Sequence, residues 1–181
     1  MIDTRDSSHD PAGAFADLVV GNRAYSSTFA LADLEPVARR GLAIITCMDS
    51  RIEPLALLDL RPGDAKILRN AGARVTDDVL RTLILAVHLL GVERVLVMPH
   101  TGCRMAESSE PELHRLIDSR TGLDTSTIVF GAIDDQVATL RDDLRRIRHA
   151  PFLPTDLVIA GAVYDVASGR LGELLTDPGG A

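Results

Sequence analysis

Two short apolar runs constrain this chain most. Residues 41–46 and 95–98 are each too brief for a buried helix and are bounded by turn or polar residues, which fits strands covered on both faces. Such strands need helices beside them. The fold class expected is therefore α/β, a mainly parallel central β-sheet flanked by α-helices. Each run also ends abruptly in chemistry: Cys47, Asp49 and Arg51 follow the first, while the second passes through Pro99-His100-Thr101-Gly102-Cys103.

The remaining pattern agrees with that class. A short helix is expected from residue 12, carried by Phe15, Leu18 and Val19 and ending near Gly21-Asn22, with residues 31–40 as loop or a further short helix. Residues 53–60 read as a short helix, Arg61-Pro62-Gly63-Asp64 as a turn, and 65–68 as the second strand. Thr76 followed by Asp77 and Asp78 predicts a capped helix start, and that helix runs to Leu90 with Gly91 as its stop. Apolar on most sides, it is expected in the core or against another subunit, with His88 as a packed or interface histidine rather than a ligand.

Further along come a third strand over 93–98, a helix around 112–119 and a short strand over 128–132. Ile133, Val137, Leu140, Leu144 and Ile147 fall at the spacing of an amphipathic helix, closed by Pro151 and Pro154. A strand over 156–163 and a turn over 164–171 leading into an edge strand complete the pattern. The domain organisation expected is a flexible N-terminal tail over 1–11, an N-terminal helical arm over 12–40 suited to packing on a second subunit, and an α/β domain over 41–176. The Pro178-Gly179-Gly180 end is expected to fray.

Composition narrows the function. With 26 acidic against 19 basic residues and 3% aromatics, the chain has neither the basic field nor the stacking surface that nucleic acid requires. No stretch approaches the roughly 20 apolar residues of a membrane span, and the polar residues 1–11 do not resemble a secretory signal. A cytoplasmic protein is expected. In that compartment two cysteines rarely form a structural disulfide, so metal ligation, catalysis or burial as small hydrophobes remain.

Ligands of open α/β sheets bind beyond the carboxyl ends of strands where strand order reverses. If the first and third strands are neighbours there, Cys47, His100 and Cys103 converge. Two thiolates and an imidazole suit zinc, and three protein ligands leave a fourth position open. If the chain stays extended after Cys47, Asp49 and Arg51 face the same side as the thiol. They form either an ordinary ion pair closing a strand end or a device that orients water at the metal. Other cysteine chemistries fit less well. A Cys-x5-Arg phosphate loop fails because Glu53 stands where arginine is needed, Cys-x-x-Cys is absent, and a Cys/His nucleophilic dyad leaves one thiol unexplained.

The segments Cys47-Met48-Asp49-Ser50-Arg51, Asn70-Ala71-Gly72 and His100-Thr101-Gly102-Cys103, with Val163-Tyr164-Asp165 and Gly169-Arg170-Leu171, resemble the β-class carbonic anhydrases, particularly small bacterial members. The resemblance spans about residues 41–172. It implies a zinc lyase in which Cys47, His100 and Cys103 hold the metal and Asp49 and Arg51 form a catalytic dyad. The implied reaction is reversible hydration of carbon dioxide to bicarbonate and a proton by zinc-bound hydroxide, in a homodimer or dimer-based oligomer. Some members have a closed state in which the aspartate takes the fourth zinc position, and Asp49 is the matching residue. The same ligands would serve a relative that hydrolyses carbon disulfide or carbonyl sulfide, or a noncatalytic zinc-binding domain. Two departures stand out: Arg104 occupies a position where the family usually carries glycine, and there is no tryptophan.

Overall fold

The computed structural model describes residues 13–176, so the tail expected over 1–11 and the end at 178–180 lie outside the described residues. The chain divides into two units, Met1–Glu35 and Pro36–Ala181. In the first, a short turn leads into α1, Ala16–Ser26. That helix passes through the stop expected at Gly21-Asn22. A glycine costs a helix interior about 1 kcal/mol but ends it only when the backbone turns left-handed, which Gly21 does not do. Residues 31–40 carry no helix.

The second unit holds β1 (Leu42–Cys47), α2 (Pro54–Leu57), β2 (Ala65–Asn70), α3 (Asp77–Leu89), β3 (Arg94–Met98), α4 (Glu110–Thr121), α5 (Gln136–Arg148), β4 (Val158–Gly161), β5 (Tyr164–Asp165), β6 (Arg170–Leu171) and β7 (Leu175–Thr176). The main sheet runs β2-β1-β3-β4-β7, parallel except for β7. The chain leaves β1 outward to β2 and then crosses to β3 on the other side, so strand order reverses between β1 and β3. All six residues of β1 are buried, as a continuous apolar run demands.

Alternation along the strands sorts their side chains. Ala43, Ile45, Val95, Val97 and Ile159 pack with Val79, Leu83 and Ala86 of α3 and Leu140, Leu144 and Ile147 of α5. On the other face Leu42, Ile44 and Met98 meet Ile52, Tyr164 and Leu57. Full burial of each such aliphatic contributes about 1.5–3 kcal/mol, which is why the strand ends hold their positions. Thr76 caps α3 by accepting a hydrogen bond from the Val79 N–H, and Gly91 turns left-handed just beyond that helix, both as expected. Leu85 and Leu89 on α3 stay exposed.

Three further expectations need correction. The helix over 53–60 is only the four residues of α2, because Asp59 turns left-handed at φ 51°. Residues 128–132 form no strand. The Glu110 carboxylate takes the backbone N–H groups of Phe130, Gly131 and Ala132, leaving them no donors for a ladder. The segment over 164–171 makes its own small hairpin, β5 with β6, and the edge strand is β7, antiparallel to β4.

Where α5 crosses β4, space is short. A methyl group on Gly161 would stand 2.7 Å from Leu140 Cδ1, and Leu140 is itself buried and cannot swing aside. Gly161→Ala is expected to destabilise the fold by about 1–3 kcal/mol. Denaturant unfolding checks this, and an unchanged midpoint would show that the layer yields.

Candidate metal centre

The site forms at the strand-order reversal. Parallel pairing brings Thr46 of β1 opposite Met98 of β3, so the residues following each strand emerge side by side. The Thr46 hydroxyl reinforces this by donating to the Met98 carbonyl at 2.9 Å. Cys47, His100 and Cys103 are all buried, and their ligand atoms lie within 4.8 Å of one another. The two sulfurs are 4.0 Å apart and unbonded.

The ring of His100 is oriented by a hydrogen bond. Its Nδ1 lies 2.9 Å from the Thr101 carbonyl, which can only accept, so Nδ1 carries the proton and Nε2 presents its lone pair. That Nε2 is buried without a hydrogen-bond partner, a costly arrangement unless something electrophilic sits against it. The Thr101 carbonyl is held in place in turn. Thr101 N donates to the Tyr164 carbonyl, and its hydroxyl donates to Asp165 Oδ1 at 3.0 Å. Gln136 Nε2 donates to the His100 carbonyl at 2.7 Å. Burial is the main force pushing the Cys103 thiol above its ordinary range, with Cys47 adding to it. A buried pair of thiols and a free imidazole nitrogen fit a thiophilic divalent cation such as zinc.

Asp49 and Arg51 reach the cluster by a turn rather than by the extended chain that strand alternation suggests. The strand ends at Cys47, and the Ile52 N–H closes back on the Asp49 carbonyl at 3.1 Å. The Asp49 carboxylate accepts Arg51 Nε at 2.9 Å and a second guanidinium nitrogen at 2.7 Å, together with the Arg51 backbone N–H at 2.9 Å. Those bonds, the side-chain one first, hold Asp49 far below the usual carboxylate range. Its Oδ2 stands 3.8 Å from His100 Nε2. Arg51 also donates to the Gly102 carbonyl at 2.9 Å and so links the loops after β1 and β3.

Neighbouring residues differ in what they contribute. Arg104 points outward and pairs loosely with Glu107 at 3.8 Å. His88 Nε2 donates to the Phe152 carbonyl and takes no part in the cluster. Arg69, at the end of β2, spans the carbonyls of Cys47 at 3.0 Å and Asp49 at 2.6 Å. Spacing along the chain does not reveal that contact, because its partners lie about twenty residues away and are backbone atoms. An arginine-rich composition hides it further.

A family model described as carbonic anhydrase matches residues 42–171. The chain is 35% identical over 158 residues to β-carbonic anhydrase 1 of Mycobacterium tuberculosis, covering 87% of this chain and 96% of that one. It is 29% identical over 156 residues to a carbon disulfide hydrolase of Acidithiobacillus thiooxidans, covering 73% and 71%. Among solved structures, the carbonic anhydrase of Streptococcus mutans superposes with a TM-score of 0.82 at 36% identity, over 87% of this chain and 95% of that one. The family match reaches from the first residue of β1 to the last of β6 and takes in the whole cysteine–histidine cluster, and on that evidence the chain belongs to the β-carbonic anhydrase family.

Proposed function

We propose that this protein catalyses the zinc-dependent reversible hydration of carbon dioxide to bicarbonate and a proton. The observation that carries the reading is the convergence of Cys47, His100 and Cys103 with a carboxylate, Asp49, fastened beside them. Cys47 Sγ, His100 Nε2 and Cys103 Sγ would hold the metal, which when bound makes water nucleophilic near neutral pH; in carbonic anhydrases of the three-histidine class that water has a pKa of about 7.

The chain's own groups then set orientation. An ionised carboxylate only accepts hydrogen bonds, so Asp49 takes one from the attacking water and turns a lone pair of that water toward carbon dioxide. Arg51 keeps the carboxylate ionised and in place. For Asp49 to become a fourth ligand itself, as in a closed state, it would have to give up its bonds from Arg51, whose guanidinium also donates to the Gly102 carbonyl. The arrangement seen keeps Asp49 on Arg51 and supports the water-orienting role.

Assembly as a homodimer or dimer-based oligomer is part of the same reading. A groove of about 340 Å³ on the sheet is lined by Leu42, Leu58, Leu60, Leu96, Val158 and Leu174. In the arm, Leu18, Val19 and Val20 are exposed, a pattern that suits the arm over 12–40 to packing on a second subunit. A cytoplasmic location fits two unbonded thiols, and no described helix is long and apolar enough to cross a membrane.

Stopped-flow hydration of carbon dioxide by zinc-loaded protein tests the proposal, with carbon disulfide offered in parallel. Fast hydration supports it, while turnover of carbon disulfide alone would transfer the reading to the other branch seen among its relatives. Asp49→Asn should keep its zinc and lose about a hundredfold or more in hydration rate. His100→Ala should weaken zinc binding by at least about a hundredfold, since losing outer partners of a metal ligand alone costs roughly 10–100-fold. Zinc must displace protons from the thiols, and Cys103 holds its proton above the ordinary range, so zinc affinity should rise from pH 6 to pH 8 in competition with a chromophoric chelator. Two thiolates place more negative charge on the metal than imidazoles do, so the hydration rate should climb toward alkaline pH. A flat profile would contradict that.

A further inference from the structure

We infer that Arg69 is a positioning residue for the catalytic loop. This inference rests on the hydration reading and adds a residue to it. The loop over 48–51 leaves the sheet and is held within itself by the Ile52–Asp49 turn and the Arg51–Asp49 bonds, and to the second loop by Arg51 on Gly102. Met48 N donates to the Asn70 carbonyl at 2.9 Å, and beyond that point the ladder between β1 and β2 ends. Arg69 takes over there. Its Nε reaches the Cys47 carbonyl and its terminal nitrogen the Asp49 carbonyl, bracketing Met48 between two fixed points.

The choice of partners is informative. Arginines on a protein surface ordinarily pair with carboxylates, yet among the described residues no acidic side chain pairs with Arg69. The rigid fork of the guanidinium is used on two neutral carbonyls at a set separation, something a point-charge ammonium cannot match in geometry. One of those carbonyls belongs to a metal-ligating cysteine and the other to the aspartate of the dyad. The Asp49 carbonyl also receives the Ile52 N–H, so Arg69 and the turn share its two lone pairs. The β1 end is already fixed by Cys47↔Asn70 pairing and by core burial, so the fold does not require Arg69. What needs it is the direction in which Asp49 faces the cluster.

The test compares Arg69→Ala and Arg69→Lys with the wild type, each loaded with one zinc per chain. Charge-assisted bonds of this kind predict a fall in kcat of about tenfold or more for Arg69→Ala with KM nearly unchanged, and partial recovery in Arg69→Lys. Two readouts besides activity accompany it. Zinc release to an excess of chelator should accelerate several-fold, and the visible spectrum of the cobalt(II)-substituted variant should shift from that of the wild type. If Arg69→Ala fails to fold by circular dichroism, Arg69→Lys carries the comparison, with the same directions expected. Rates of zinc release, cobalt spectra and kcat all matching the wild type would overturn the inference. An inactive wild type would instead remove the hydration reading and leave the release and spectral comparisons to judge Arg69.

Discussion

Parallel pairing of β1 with β3, in the register that sets Thr46 against Met98, is the constraint from which the site follows. Parallel strands point their carboxyl ends the same way, so two loops distant in sequence emerge together. A one-residue slip would exchange the side chains of β1 between its two buried faces, moving Ile44 into the layer that Ala43 and Ile45 now fill against α3 and α5. Misregister would misplace several buried aliphatic side chains at once, so the packing of the core sets where Cys47, His100 and Cys103 stand.

Around the cysteine–histidine cluster, hydrogen bonds convert approximate placement into orientation. His100 is aimed through the Thr101 carbonyl, and Thr101 is fastened to Tyr164 and Asp165 of the small hairpin. Asp49 is aimed through Arg51, which also spans to Gly102 on the second loop. Arg69 approaches from β2 and takes the backbone of the first loop. Three different strands and a hairpin thus bear on one cluster, each through a bond to a backbone carbonyl or to the carboxylate.

The legible part of the molecule was that governed by local pattern. Continuous apolar runs announce β1 and β3, and Thr76 with Gly91 brackets α3, because burial and capping leave their mark within a few residues. The convergence of Cys47, His100 and Cys103 was readable for the same reason: they sit at or just beyond strand ends, where pattern changes abruptly. Long-range hydrogen bonds are what the sequence conceals. Residues 128–132 look like a strand, but Glu110 removes their donors from twenty residues away. Extension after Cys47 looks natural until the Asp49–Ile52 turn bends the chain, and nothing near Arg69 in sequence shows that its partners are carbonyls.

The central claim is that the β1 and β3 ends deliver two thiolates and one imidazole to a single zinc and leave one position for a small ligand. X-ray absorption at the zinc edge of the wild-type protein addresses it directly. The account predicts two sulfur scatterers at about 2.3 Å and, at about 2.0–2.1 Å, one imidazole nitrogen with one further light atom. A shell of four light atoms without sulfur, or a single sulfur, would contradict it.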